Sequence, residues 1–469
     1  MGHPARIAVV GGGIAGLAAA LRLRDRAPEG TRITVYEQSA APGGKLRTGA
    51  LAGSTVELGA EAFLVRDPTG EGESAAVALA RRVGLADALV HPEPVGAALA
   101  LDGVLRPIPG GTIMGVPGDL DLIAAVARLA ADADRDDGRP LLGPDEDVAV
   151  GDLVRRRLGD DVVDRLLEPL LGGVYAGRAD QLSLAATMPG LAAACRTQRT
   201  LTGAVRAALE ASPRPPGEPV FATVVGGVTR LVDAVAAAAG AELRVGLPVL
   251  ELAPVGTGWR LTIGATRGPI HDQADAVLLA VPARPAERLL AGVHRHAAAD
   301  VGVLDYASVA LVTLALSGAA LPELSGLLVP PVEGTAVKAA TFFTQKWAHL
   351  RRPDGLALVR ASVGRAGEEA VLQRSDDSLA ALVHSELSTM VGQLPPPAGT
   401  VVQRWGGALP QYAPGHPDRI ERIRATLAAN HPTLALAGAA YDGVGIAACV
   451  RSGEAAAEEI VKALGESGA

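Results

Sequence analysis

Lysine is nearly absent from this chain. Lys45, Lys338, Lys346 and Lys462 are the whole set among 43 basic residues, so arginine carries almost all the positive charge. With the excess of Ala and Gly, that bias fits a GC-rich genome rather than a function. Cysteine is scarcer still: Cys195 and Cys449, far apart in sequence. Two such residues exclude a disulfide scaffold and a Cys-based metal site, and a reduced cytosolic setting is expected. There is no basic run, and the formal net charge is -8. Both argue against a nucleic-acid partner. No stretch offers about 18 uninterrupted apolar residues, so no transmembrane segment is expected, while peripheral membrane contact stays open. Met1 to Val10 lacks the charged region and long apolar stretch of a signal peptide.

What is present is apolar bulk and length. At 469 residues, 49% of them hydrophobic, two or three domains are expected. Arg6 to Val10 reads as a short buried strand, Gly11 to Gly16 as a tight turn, Leu17 to Arg26 as a helix and Arg32 to Tyr36 as a second strand. Helices are expected at Leu79–Val90, Leu122–Asp134, Val148–Leu171, Ala185–Ala194, Leu201–Ala211, Thr229–Ala239 and Ser378–Val391. Pro213 to Pro219 is a proline-rich punctuation mark. Strands are expected at Glu242–Val245, Val249–Ala253, Trp259–Ile263, Ala276–Ala280, Tyr306–Leu316 and Leu356–Val363. Leu434 to Gly438 reads as a strand, followed by a glycine-rich turn and a final helix from Gly453 to Leu464. A strand-turn-helix therefore opens the chain and another closes it.

The opening turn, Gly11-Gly12-Gly13-Ile14-Ala15-Gly16, satisfies G-x-G-x-x-G. Gly11 permits the turn, Gly13 lets the backbone approach a pyrophosphate at the helix N-terminus, and Gly16 allows close helix–strand packing. The motif alone is weak, but its setting is right. A strand precedes it, a helix follows, and Glu37 stands 21 residues beyond Gly16, where a carboxylate accepts from ribose hydroxyls. Three further segments stand out: Pro42-Gly43-Gly44-Lys45-Leu46-Arg47, Glu57-Leu58-Gly59-Ala60-Glu61-Ala62-Phe63, and Leu436 to Ile446. In the last, a strand runs into small residues and opens a helix, presenting backbone N–H groups.

The glycine pair after the acid and the Glu57–Phe63 turn resemble the FAD-binding amine oxidase and phytoene desaturase superfamily. Other segments resemble the protoporphyrinogen and coproporphyrinogen oxidases of the haem pathway. They are Leu170 to Gly177, Arg404-Trp405 with Ala408 to Tyr412 and Gly415-His416, and Ala439 to Cys449. Val337 to Phe342 with Lys346-Trp347, and Gly103 to Val116, are similar to the bacterial, coproporphyrin-forming branch. The resemblance spans nearly the whole chain. It implies an α/β fold with α+β insertions: a Rossmann-like FAD domain (1–88, 236–284, 400–469), a mixed-sheet substrate domain (89–98, 212–235, 285–399) and a mainly helical domain (99–211).

The resemblance also implies site residues. FAD contacts carry over to Gly11, Gly12, Gly13, Ile14, Ala15, Gly16, Glu37, Gly44, Lys45, Gly59, Ala60, Glu61 and Ala62. They carry over further to Val249, Trp405, Ala439, Val444, Gly445 and Ile446. The implied reaction removes six electrons from a porphyrinogen in three two-electron steps, with dioxygen as acceptor and hydrogen peroxide as by-product. The backbone carbonyl of Gly173 matches a position proposed to face the reacting carbon in plant and animal relatives. Arg66, Tyr175, Lys338 and Lys346 are the candidate substrate contacts. If the segment is extended, the even spacing of Lys338 and Lys346 puts both on one face. His349 and His416 are read as structural. Competing readings are a protoporphyrinogen IX oxidase, an amine oxidase or carotenoid desaturase, and a non-catalytic flavin-holding partner that delivers porphyrin to a coproporphyrin ferrochelatase. With aromatics at 3% and no evident flavin-linking Cys, the amine oxidase reading is disfavoured.

Overall fold

A computed structural model describes residues 4–67, 72–213, 215 and 217–467. The proline-rich mark at Pro213–Pro219 lies partly outside the described residues. The strand Arg6–Val10 pairs in parallel with Arg32–Glu37 on one side and Ala276–Leu279 on the other. Glu242–Val245 and Leu434–Leu436 complete a five-stranded parallel sheet. Its strands come from three separate parts of the chain, so both ends meet in one layer. Three of its strands, Arg6–Val10, Ala276–Leu279 and Leu434–Leu436, are apolar on both faces, as a sheet covered by helices requires.

The opening helix, Ile14–Arg26, and the closing helix, Ile446–Ser467, pack against each other over this sheet. Gly453 sits at their contact. A Cβ there would lie 2.0 Å from the Ala15 carbonyl oxygen. The closing helix thus begins seven residues earlier than the sequence suggests, with Gly453 inside it rather than at its start. Glycine costs about 1 kcal/mol in a helix interior, and here it allows the two backbones to approach.

The second sheet has seven strands in the order Gly399–Gln411, Asp305–Leu316, Ala357–Val363, Val337–Phe342, Gly326–Leu328, Ala97–Leu101 and Val104–Pro107. All neighbours are antiparallel except Gly326–Leu328 with Ala97–Leu101. This corrects two expected boundaries. Residues 400–411 of the strand Gly399–Gln411 pair in this sheet and not in the dinucleotide-binding layer, and residues 99–107 of the Ala97–Pro107 hairpin pair in it and not in the helical region.

The helical region is more broken than its periodicity suggests. Val148–Leu171 is not one helix: Gly159, at φ 105°, ends Val150–Leu158, and a π turn at Val163–Leu167 leads into Glu168–Tyr175. Pro189 splits the expected Ala185–Ala194 helix in two. Leu122–Asp134 holds only a 3-10 turn at Asp121–Ile123. Asp134 instead caps another helix, accepting from Leu201 N at 2.6 Å and Thr202 N at 2.8 Å, a use of the carboxylate that competes with helix formation. Leu79–Val90 likewise stops early, at Arg82.

Candidate functional site

One cavity of about 1430 Å3 runs from the N-terminus of the opening helix to the face of the second sheet. That exceeds the roughly 300–1000 Å3 of a drug-sized pocket, leaving room for a dinucleotide and a second molecule. Its first half is built by the motifs at the two chain ends. Gly11, Gly13, Ile14 and Ala15 line it, and so do Ala439, Val444, Gly445 and Ile446.

The turn fits a pyrophosphate. Gly13 is the N-cap of the opening helix and offers no side chain to its free N–H groups. A Cβ on Gly13 would meet no protein atom within 4 Å, so its absence leaves open space at the positive helix end. Gly16 does not reach the cavity. A Cβ there would lie 2.0 Å from the Gly11 carbonyl oxygen, so its role is packing. Gly12 donates from its backbone N to Glu37 Oε2 at 2.8 Å, and Ser39 N donates to Oε1 at 2.7 Å. These bonds fix the buried Glu37 carboxylate at the cavity wall, with lone pairs left for ribose hydroxyls. Replacing Glu37 with alanine should weaken FAD binding roughly 10- to 100-fold, the equivalent of about 1.5–3 kcal/mol for hydrogen bonds to a charged group. A fluorescence titration with FAD measures this, and an unchanged dissociation constant would remove Glu37 as the ribose ligand.

Gly44, Lys45, Gly59, Ala60, Glu61, Ala62, Val249 and Trp405 also line the cavity. Gly59 packs so closely on Lys45 that a Cβ would lie 1.9 Å from the Lys45 carbonyl oxygen. Burial lowers the pKa of the Lys45 ammonium, and burial raises that of the neighbouring Cys449 thiol to about 11. Trp405 donates from Nε1 to Leu58 O at 2.7 Å, and the Arg47 guanidinium lies 5.4 Å from its ring centroid. The indole thus serves as a fixed wall.

Glu61 holds an ion cluster that its motif did not announce. Its carboxylate takes Lys346 Nζ at 2.5 Å and also pairs with Arg360. Arg360 further donates to the Gly59 carbonyl at 2.9 Å. Burial alone would raise the Glu61 pKa, but Lys346 and Arg360 outweigh it and hold the carboxyl at about 2. Arg360, which sequence reasoning missed, comes from the strand Ala357–Val363 and had no local signal.

The remaining candidates divide. Lys338, Lys346 and Gly173 line the second half of the cavity. The parity that would bring the two lysines together does not apply, because the strand ends at Phe342 and Lys346 closes a short helix, Phe343–Lys346. Tyr175 is not a lining residue. It is buried in the helical core with its ring edge-on to Tyr412, 5.8 Å between centroids. Arg66 pairs with Glu218 at 3.2 Å, and only Glu218 of the two lines the cavity. His416 is buried 4.5 Å from the Tyr412 ring, and burial lowers its pKa to about 4. His349 lies outside the cavity lining, and burial lowers its pKa as well.

Gly173 occupies the last turn of Glu168–Tyr175, whose C-cap is Ala176 at φ 51°. Gly172 O accepts from Ala176 N at 2.8 Å and Tyr175 O from Gln411 Nε2 at 2.8 Å. Among the described residues none donates to the Gly173 carbonyl from beyond the helix, and the negative end of the helix dipole meets the cavity there.

The family model described as flavin containing amine oxidoreductase matches residues 14–461. The chain is 38% identical over 468 residues to a coproporphyrinogen III oxidase of Mycobacterium tuberculosis, covering 98% of each. It is 30% identical to a coproporphyrinogen III oxidase of Bacillus subtilis, again covering 98% of each. A solved structure of an Exiguobacterium sp. 255-15 protein superposes with a TM-score of 0.84 at 32% identity, covering 98% of this chain and 99% of that one. A putrescine oxidase shares the fold, with a TM-score of 0.66 at 18% identity and 98% and 99% coverage. These matches show that the chain belongs to the flavin-containing amine oxidoreductase family and takes FAD as its cofactor, which the open helix end at Gly13 and the carboxylate of Glu37 fit.

Proposed function

We propose that this chain oxidises coproporphyrinogen III to coproporphyrin III, removing six electrons in three two-electron steps. The observation that carries the reading is the second half of the cavity. It continues from the flavin motifs into an apolar chamber between Leu170, Val174, Leu327 and Leu328, with cationic groups at its wall. A flat macrocycle edged with carboxylates matches that combination. The 38% identity to coproporphyrinogen III oxidases along the whole chain supports it.

When bound, FAD supplies the hydride acceptor, and dioxygen takes the electrons onward to give hydrogen peroxide. The protein's part is placement and electrostatics. Lys346, Arg360 and Glu61 together carry one net positive charge beside the chamber, a site for a propionate. The carbonyl end of Glu168–Tyr175, with Gly173 at its last turn, faces the same chamber. Loss of a hydride makes the macrocycle more positive, and that end of a helix favours positive charge.

The purified protein should release peroxide on addition of coproporphyrinogen III, with a higher kcat/KM than for protoporphyrinogen IX, which has two carboxylates instead of four. Equal or reversed values would transfer the assignment to protoporphyrinogen IX. No turnover with either would leave a flavin-holding partner protein that hands porphyrin to a ferrochelatase.

A further inference from the structure

Lys338 lies where a regular strand would not put it. The strand Val337–Phe342 pairs with Ala357–Val363 through Val337↔Val363 and then Ala339↔Ser362. Two residues are passed on one strand for one on the other, so Lys338 is the extra residue of a β-bulge. Val337, Ala340 and Phe342 pack into the apolar core behind the sheet. Plain alternation would send Lys338 to the same side as Ala340 and Phe342. The bulge turns it instead to the cavity, which Ala339 and Thr341 line with it and whose wall Ala340, packed in the core, also reaches.

There its Nζ lies 3.4 Å from the Gly172 carbonyl oxygen, at the C-terminal turn of Glu168–Tyr175. The side chain is almost wholly enclosed, at 5% exposure, and forms no ion pair among the described residues. Charged groups stand on the elements packed against it, and none forms an ion pair with it among the described residues. Arg365, from the end of the neighbouring strand, is held by the Val329 and Thr335 carbonyls and lies 3.6 Å from Glu368. Glu168, on the helix, accepts from Ala179 N, and Arg178 lies beyond it. Glu386, on the helix Asp376–Val391, caps Ala336 and Val337.

We propose that Lys338 is the base that takes the pyrrole N–H proton as the macrocycle is oxidised. The proposal rests on the porphyrinogen reading above. In each two-electron step a bridging CH2 loses one hydrogen with its bonding pair, as hydride, to the oxidised flavin. A pyrrole N–H bond breaks, its electron pair stays on the ring to form the new conjugated double bond, and the proton goes to the Lys338 amine; between steps one hydrogen of the remaining CH2 shifts to a ring nitrogen by tautomerisation, so that three hydrides and three protons leave and the net loss is four C–H and two N–H bonds. The resulting ammonium is received by the Gly172 carbonyl and by the negative end of the helix. It then returns its proton to solvent before the next step. A lysine meant as a permanent propionate clamp gains from staying charged. Burial, reinforced by the Arg365 guanidinium, works the other way and lowers the Lys338 pKa to about 7. A neutral amine at neutral pH is what a general base requires.

The test uses the FAD-loaded full chain and its Lys338→Met and Lys338→Arg variants. The rate of flavin bleaching on anaerobic mixing with coproporphyrinogen III is followed against pH, and the affinity for coproporphyrin III by fluorescence. In the parent, the limiting rate should rise with pH through about 7, as the amine loses its proton. Lys338→Met should be roughly 100-fold slower at neutral pH, without that limb, yet bind FAD and coproporphyrin III within about threefold of the parent. Lys338→Arg should also be slow, because a guanidinium stays protonated. It carries the test alone if the Met variant does not fold. The proposal falls if coproporphyrin III binding weakens tenfold or more while the limiting rate holds, which would make Lys338 a carboxylate clamp. It falls equally if the pH limb survives in the variants. Failure of the underlying reading looks different: the parent itself would not be bleached by coproporphyrinogen III.

Discussion

Gly13→Asp should give a folded but colourless protein. A side chain at this position meets no protein atom within 4 Å, so nothing in the fold opposes it. It would project into the open space at the N-terminus of Ile14–Arg26, where we place the cofactor's pyrophosphate. The carboxylate would compete for the same helix N–H groups and repel the phosphates. Two like charges about 4 Å apart interact by about 4 kcal/mol at the effective dielectric of a protein surface. That corresponds to roughly a thousandfold weaker FAD binding. The dissociation constant from flavin fluorescence and the far-UV circular dichroism spectrum decide it. An FAD affinity within a few-fold of the parent would show that the phosphates do not sit at this helix end. Glu37→Ala acts on the same cofactor more weakly, because it removes hydrogen bonds rather than adding a like charge.

Glu61→Gln should cost about 3–5 kcal/mol of stability, the range for removing one partner of a buried ion pair. Glutamine keeps the shape and loses the charge, leaving Lys346 and Arg360 as adjacent, half-buried cations. The same cluster sets an acid limb. The Glu61 pKa is depressed from 4.5 to about 2, so its contribution is fully present above 4.5 and is lost as pH falls towards 2. The difference amounts to roughly 3 kcal/mol. In a chain of several packed layers, the midpoint of denaturant unfolding across acid pH is the suitable readout. The parent should lose stability steeply below pH 4.5, and the variant should start lower and show a shallower fall. Matching midpoints and matching acid limbs would mean that the cluster is solvated and contributes little.

Glu61 also shows where reading a sequence stops. Gly59 to Ala62 is legible as a turn at the cavity wall, because its glycine and small residues have a local reason. Nothing local reveals that the Glu61 carboxylate is neutralised by two cations from residues 346 and 360. Those partners arrive through the pairing of Val337–Phe342 with Ala357–Val363, which is a long-range event. Tyr175 lies off the cavity lining for the related reason that a motif fixes the backbone of a turn, while the packing of the helical core decides which way a ring points. The even spacing of Lys338 and Lys346 failed because strand parity assumes an uninterrupted strand. A bulge at Lys338 and a helix from Phe343 interrupt it, yet both side chains still reach the cavity.

By itself the sequence determined the glycine turn with Glu37 beside it and the meeting of the two chain ends. Those features rest on contacts between near neighbours: a strand, a glycine turn, a helix N-terminus and an acid one strand later. The broken helices were partly local too, since Gly159 and Pro189 were visible, but the capping role of Asp134 needed its distant partners at Leu201 and Thr202. Only the tertiary structure decided that Gly399–Gln411 joins the second sheet, that Gly453 is a packing glycine and that Lys338 leaves the apolar core for the cavity. In each case the deciding term is steric fit or hydrogen bonding between segments far apart in the chain, which no local pattern encodes.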